Sequence, residues 1–148
     1  MPGEKNAKKY EYLYHIADAK FKAYGSTMEE SFENAALAMF NVMIDTKNQK
    51  PEQMRQIELT SSDIKMLLAD WLSELLYLFE VDGIVFCEFK MDMIENTIEG
   101  ATLSGRAWGE TLDLSRHNFD TQVKAVTLHE LEVQQTDDVF WVQVVVDT

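Results

Sequence analysis

The chain has 148 residues, of which 13 are Lys or Arg and 26 are Asp or Glu, so its formal net charge is −13 at pH 7. This length suits a single domain with a proper core, and a hydrophobic content of 46% is too high for a disordered chain. An acidic surface repels phosphate groups, so the composition disfavours strong direct nucleic-acid binding and binding to anionic membranes, and it favours cations and basic proteins as partners.

The sequence gives no sign of export, disulfide bonds or a membrane span. Cys87 is the single cysteine, which excludes an internal disulfide and a cysteine-rich zinc site. The basic residues near the start of the chain lack the apolar stretch of a signal peptide behind them. The apolar-rich segment 64–79 is interrupted by Lys65, Asp70 and Glu74, so it does not read as a membrane span. We therefore expect a soluble, cytoplasmic protein.

The N-terminal region is predicted to contain a tail and two strands. Residues 1–9 are polar and basic, and we expect a flexible tail there, followed by one domain over residues 10–148. Strands are predicted at residues 10–14 and 19–24. In the second strand apolar and polar residues alternate with the period of two that a half-buried strand shows.

Two helices are predicted next. Thr27 and Glu30 have the spacing of a capping box, and apolar residues then recur at helical intervals. A short strand at residues 55–59 separates this helix from a second one. The polar residues 61–63 provide caps for the second helix, and residues 64–79 carry a wide apolar face that must be largely buried.

The second half of the chain reads as strands. After a turn at Gly83, residues 87–93 alternate clearly, and a hairpin connection at 96–100 leads into a strand with Ala101, Leu103 and Ala107. A polar segment then precedes strands near residues 123–128 and 139–146. The order β-β-α-β-α-β-β-β-β predicts an α+β fold, a mostly antiparallel sheet packed with two main helices in a single compact domain.

A group of oxygen ligands is suggested by the two ends of the predicted domain. Asp18 stands at a strand junction, and Asp147 and the terminal Thr148 follow an apolar strand. If the last strand lies beside the first hairpin, three anionic groups converge, and such hard oxygen ligands suit calcium, magnesium or manganese. On spacing alone the simpler alternative, in which Asp18 caps a turn and the terminus is merely solvated, stays open.

Other polar residues carry weaker signals. His15, His117 and His129 could form a three-histidine zinc site, but their spacing does not support it, and ordinary half-buried or surface histidines are the simpler interpretation. Cys87 alternates with apolar neighbours and reads as a core residue rather than a nucleophile. Lys124 could bind an anion such as phosphate or be a solvated strand lysine.

Several blocks of the chain closely resemble the archease family, in the family's order and over nearly the whole sequence. They are residues 10–18 (YEYLYHIAD), 24–36 (YGSTMEESFENAA), 70–79 (DWLSELLYLF), Arg116-His117, 123–129 (VKAVTLH) and 144–147 (VVVD). The chain departs from the family's Glu-His-Thr-Ala-Asp block, since Tyr14 replaces Glu and Ile16 replaces Thr.

The resemblance implies a small α+β protein that is not itself an enzyme. Archeases activate the GTP-dependent RNA-splicing ligase of tRNA splicing, a manganese enzyme with a guanylylated histidine, by promoting guanylylation and multiple turnover. The family also resembles proteins described as modulators of a tRNA methyltransferase. Two alternatives are therefore kept, namely a chaperone-like modulator of such a methyltransferase and a small metal-dependent phosphoesterase.

The resemblance also implies a site. Family members bind Ca²⁺ or another divalent cation through residues that correspond to Asp18, Asp147 and Thr148. We expect possible contacts to the partner protein or to a phosphate group from four further residues, His15, His117, Lys124 and His129.

Overall fold

The computed structural model describes residues 8–13 and 18–148, which form two antiparallel sheets and two long helices. The elements are β1 (Tyr10–Leu13), β2 (Asp18–Gly25), α1 (Met28–Met43), β3 (Gln53–Ser61), α2 (Ile64–Asp82), β4 (Ile84–Thr97), β5 (Gly100–Thr111), β6 (Ala125–Val126), β7 (Glu132–Thr136) and β8 (Val139–Asp147), with a 3₁₀ turn at Thr46–Asn48. The predicted α+β class with two main helices is confirmed. The flexible tail lies mostly outside the described residues and stays a prediction.

The five-stranded sheet is built around β8. Strand β2 pairs with one side of β8 along its length, and β1 pairs with β2. The other side of β8 pairs with β7 along its first half and with β6 at its end. One face of this sheet, which we call the inner face, is fully buried against the helices through Phe21, Ala23, Val142, Val144 and Val146. Strand β8 therefore lies in the interior of this sheet, with partner strands on both sides.

The three-stranded sheet has the order β3-β5-β4, with β5 in the centre. Strands β4 and β5 form a long hairpin that contains two register shifts, one at Cys87 and one at Asp92. The second shift turns Met93 to the solvent side, where its side chain is 37% exposed, although the alternation predicted it on the same face as the buried Met91. A β-bulge adds one residue to a strand and so reverses the alternation beyond it.

Both helices begin at a residue whose side chain caps the first turn, and the second helix ends at a glycine. Thr27 accepts a hydrogen bond from the Glu30 amide at 3.0 Å, and Asp63 accepts one from the Met66 amide at 2.9 Å. Helix α2 ends at Gly83, whose φ of 69° lies in the left-handed region that favours glycine. These signals were all visible in the sequence.

The helices pack together under both sheets. The buried indole of Trp71 in α2 donates a hydrogen bond to the carbonyl oxygen of Phe32 in α1 at 3.0 Å. Aromatic rings continue this core, and Phe40 of α1 meets Phe86 of β4 edge-on with ring centroids 5.6 Å apart. The result is one hydrophobic core that fixes the two sheets relative to the helices.

Candidate functional site

Asp18 and Asp147 stand opposite each other at one end of the five-stranded sheet. Asp18 begins β2, Asp147 ends β8, and the strand register pairs the two residues directly. Side chains of directly paired residues in antiparallel strands point to the same face of the sheet, about 5 Å apart. Because the buried pair Phe21 and Val144 occupies the inner face, the period of two places both aspartates on the opposite, outer face.

This arrangement favours a hard cation as a ligand. Like charges directly opposite each other destabilise a strand pair, and a cation shared between them removes that repulsion. Carboxylate oxygens are ligands of Ca²⁺, Mg²⁺ and Mn²⁺ rather than of a structural zinc ion. Over residues 8–13 and 18–148 no group of three or more His, Cys, Asp or Glu could hold a metal ion. Within these ranges the two aspartates suit such a cation together with Thr148, which follows Asp147, and with oxygens from water or a partner.

Lys124 lies beside the same end of β8. Its amide donates a hydrogen bond to the main-chain oxygen of Asp147 at 2.8 Å, and the next residue, Ala125, pairs with Asp147 in β6. The Lys124 residue is exposed. An exposed lysine thus stands immediately before β6, with its main chain beside that of Asp147.

Residues 127–131, which we call the outer strap, connect β6 to β7 beside this site. Both the amide and the hydroxyl of Thr127 donate to the carbonyl oxygen of Val145, at 3.1 and 2.8 Å. The Gln143 side chain donates to the carbonyl oxygen of Glu130 at 2.9 Å. Glu130 has a φ of 54°, a left-handed conformation that a non-glycine residue adopts only where its surroundings hold it. The strap is therefore fixed to β8 at two points.

The side chains of Lys20 and His129 both reach Glu130. The Lys20 ammonium of β2 lies 2.7 Å from Oε1 of Glu130, and Nε2 of His129 lies 2.9 Å from Oε2. The Lys20 side chain is 18% exposed, whereas that of His129 is 66% exposed. His129 therefore reaches the surface next to an ion pair, which is compatible with the partner contact expected of it.

His117 lies elsewhere, in a buried network at the end of β5. Its Nε2 lies 3.0 Å from Oε2 of Glu110, and its Nδ1 accepts a hydrogen bond from the Asp113 amide at 2.9 Å. The ring proton is therefore assigned to Nε2, which donates to Glu110. The side chains of His117 and Glu110 are only 1% and 4% exposed. Both ring nitrogens are engaged inside the protein, which corrects the expectation that His117 contacts a partner or a phosphate.

Glu110 is held as a carboxylate by the donors around it. Arg116 donates to both of its oxygens, at 2.5 and 3.3 Å, and the Lys50 amide donates to Oε2 at 3.0 Å. The hydrogen bonds from Arg116, and then those from His117 and Lys50, lower the pKa of Glu110 to about 2 against the opposing effect of burial. The sequence drew attention to Arg116-His117 but gave no sign that Glu110 is their partner.

The remaining candidates are accounted for as follows. His15 lies outside the described residues, so its role stays a prediction. In the part of the chain that the structure describes, no histidine-rich metal group exists.

Burial, followed by the charges of Glu88 and Glu110, raises the pKa of the Cys87 thiol to about 11, which suits a packing residue and not a nucleophile. Among the described helices none is long and apolar enough to span a membrane.

Known proteins are similar in sequence to this chain over nearly its whole length. A model of the archease protein family (MTH1598/TM1083) matches residues 10–148. The chain is 56% identical over 140 residues to a protein archease from Methanosarcina barkeri, which covers 95% of this chain and 96% of that protein. A protein archease from Methanothermobacter thermautotrophicus is 42% identical over 140 residues, which is 95% of this chain and 99% of that protein.

Two solved structures share the fold. The solution structure of Methanobacterium thermoautotrophicum protein 1598 aligns with a TM-score of 0.79 at 40% identity, covering 94% of this chain and 98% of the other. The crystal structure of a Thermotoga maritima protein described as an archease and possible chaperone aligns with a TM-score of 0.54 at 19% identity, covering 93% of this chain and 96% of the other. The second match supports the architecture alone.

Proposed function

The chain belongs to the archease family, and from this premise we propose that it is a non-catalytic activator of the GTP-dependent RNA-splicing ligase of tRNA splicing. In this role it promotes guanylylation of the ligase and multiple turnover. The observation that carries the proposal is the register of β2 and β8, in which Asp18 faces Asp147 on the outer face of the sheet. Two directly opposed carboxylates supply the hard oxygen donors that a divalent cation takes.

The proposed cation ligands are Asp18, Asp147 and Thr148. Bound there, Ca²⁺ or another divalent cation supplies positive charge that attracts a phosphate or a partner's carboxylate. Asp18 and Asp147 hold it from two neighbouring strands, so its position follows the sheet rather than a mobile loop. Lys124, whose amide is bonded to Asp147, adds a second positive group at the same end of the sheet.

Charge supports a protein partner that binds RNA. A ligase that grips RNA must present basic surface to the phosphate backbone, and a chain of net charge −13 is attracted to such a surface. In this proposal the ligase holds the RNA, and the acidic protein docks beside it without strong RNA contacts of its own. Lys124, His129 and His15 are the proposed contact residues for the ligase or for a phosphate of its nucleotide.

The test is RNA ligation by the cognate ligase under multiple-turnover conditions, with and without this protein. We expect acceleration by the wild type, and single-turnover guanylylation should lose about tenfold or more with Asp18→Asn or Asp147→Asn, the range typical of lost metal ligands or their partners. Lys124→Ala should also reduce the rate. Asp138→Asn, in the turn before β8, is the matched control and should behave as wild type. Wild-type rates in all three site variants would refute the proposal.

The same reagents separate the alternative functions. Incubation of the protein alone with a divalent ion and RNA ends that carry a cyclic phosphate should give no product, whereas turnover would identify a phosphoesterase. A chaperone-like modulator would reduce the aggregation of a tRNA methyltransferase and leave the ligation rate unchanged. Either result, obtained without acceleration of ligation, would replace the activator proposal.

A further inference from the structure

Lys20 is placed to compete with a cation at the aspartate pair. It follows Asp18 by two residues in β2 and therefore lies on the same outer face. It pairs with Val145, which stands two residues before Asp147 in β8. Residues two apart in a strand are separated by about 7 Å, which is within reach of a lysine side chain. An ammonium that turned toward Asp18 and Asp147 would neutralise the charge that a divalent cation needs.

The structure directs Lys20 the other way. Its ammonium lies 2.7 Å from the Glu130 carboxylate, and its side chain is mostly covered. Glu130 is itself held in place, since the Gln143 side chain of β8 donates to its carbonyl oxygen and His129 lies against its second carboxylate oxygen. The left-handed backbone at Glu130 is part of the same turn. A strained residue, tied to β8 at its main chain, thus sets the position of one lysine.

We propose that Glu130 is a positioning residue that draws the Lys20 ammonium away from Asp18 and Asp147, so that Lys20 does not compete there with a divalent cation. This inference rests on the proposed cation site. It adds two residues, Lys20 and Glu130, that do not touch the cation and act on it through the position of one ammonium group.

The experiment is a double-mutant cycle on cation affinity, measured by calorimetric titration of the purified protein with Ca²⁺. Glu130→Ala should weaken Ca²⁺ binding by about threefold to fivefold, the upper end of what one partly exposed ion pair is worth. Lys20→Met should bind Ca²⁺ at least as tightly as wild type. The double variant should match Lys20→Met, because without the ammonium Glu130 has nothing to hold away.

Matched controls exist on the same sheet. Lys22→Met removes the next outward lysine of β2, whose ammonium lies over the Trp141 ring at 4.4 Å from its centroid. Glu132→Ala removes the next carboxylate after the strap, which pairs with Lys65 at 3.8 Å. Neither variant should change the affinity for Ca²⁺ as Glu130→Ala does, although each removes a charge from the same face.

Three results would overturn the inference. One is a Glu130→Ala affinity equal to wild type. Another is an equal loss from Glu130→Ala in the wild-type and Lys20→Met backgrounds, which would mean that Glu130 acts through its own charge. The third is a wild type that binds no Ca²⁺, which would remove the cation site and this inference with it. Ligase activation is measured separately, so the first two results leave the proposed function standing.

Discussion

Replacing Glu110 by glutamine should remove a part of the folding stability that depends on pH. The Glu110 side chain is 4% exposed and is surrounded by donors from Arg116, His117 and the Lys50 amide. These donors lower its pKa from the ordinary 4.5 to about 2. Since the pKa is lower in the folded protein, the stabilisation is complete above pH 4.5 and is lost as the pH falls from there toward 2.

The difference between the folded and unfolded pKa of Glu110 sets the size of this stabilisation. Taken in full, a pKa lowered to about 2 corresponds to about 3 kcal/mol of stability. That figure is an upper limit, because the main donor, Arg116, has a side chain that is 44% exposed and is screened by solvent. We therefore expect about 1 to 2 kcal/mol from the charge of Glu110.

Urea unfolding of the wild type and Glu110→Gln at pH 7 and at pH 3 measures this contribution. The variant should be less stable at pH 7 by about 2 kcal/mol, and the gap should narrow by about 1 kcal/mol at pH 3, where the wild-type carboxylate begins to protonate. Asp92→Asn is the control, since Asp92 is bound by Arg106 at an exposed position and should show a much smaller change. A gap that is equal at both pH values, or wider at pH 3, would refute the role assigned to the charge.

Two further predictions concern packing. Iodoacetamide should modify Cys87 at pH 8 about a hundredfold more slowly in the folded protein than in denaturant, because a thiol of pKa about 11 is almost wholly protonated there; equal rates would contradict the burial effect. Gly109→Ala should destabilise the fold by about 2 to 3 kcal/mol in urea unfolding, because a Cβ there would overlap the Val85 carbonyl. Gly105→Ala is its control and should cost less, because a Cβ there comes no closer than 3.1 Å to Met91 and 3.3 Å to Lys90 and Trp71, against 2.0 Å to Val85 at Gly109.

The helices could be predicted because their signals are local. The capping residues Thr27 and Asp63 and the terminal Gly83 each act on neighbours within one turn, so the sequence contains the whole interaction. One detail of the capping box differs, since the Glu30 carboxylate accepts from the Ser26 amide, at 2.6 Å, one residue before the cap. This change of donor is visible only in the structure, because it depends on how the chain enters the helix.

Strands were predicted less well because their patterns are incomplete. Strand β7 was missed: its sequence EVQQT has one apolar residue, as a solvent-facing edge strand allows, and it enters β8 through a turn at Asp137 with a φ of 56°. The strand predicted at residues 123–128 is reduced to Ala125–Val126, since the outer strap begins at Thr127. The bulge at Asp92 left no sign in the alternation before it.

The aspartate pair lies beyond what spacing can determine. Asp18 and Asp147 come from opposite ends of the chain, and only the register of β2 against β8 makes them neighbours. From the residues alone, the turn-cap explanation of Asp18 was the simpler one, and the resemblance to archeases reversed the choice. The buried network of Glu110 and His117 shows the converse, since a motif shared with the family turned out to hold a loop in place.

The carboxylates of Glu110 and of the aspartate pair differ in the groups that surround them. Glu110 meets several donors, and its charge stabilises the fold directly. Asp18 and Asp147 instead face each other across two strands, where like charges weaken the pairing. With the proposed cation site, Asp18→Asn or Asp147→Asn should lower the affinity for Ca²⁺, whereas Glu110→Gln should lower the free energy of unfolding and leave that affinity unchanged.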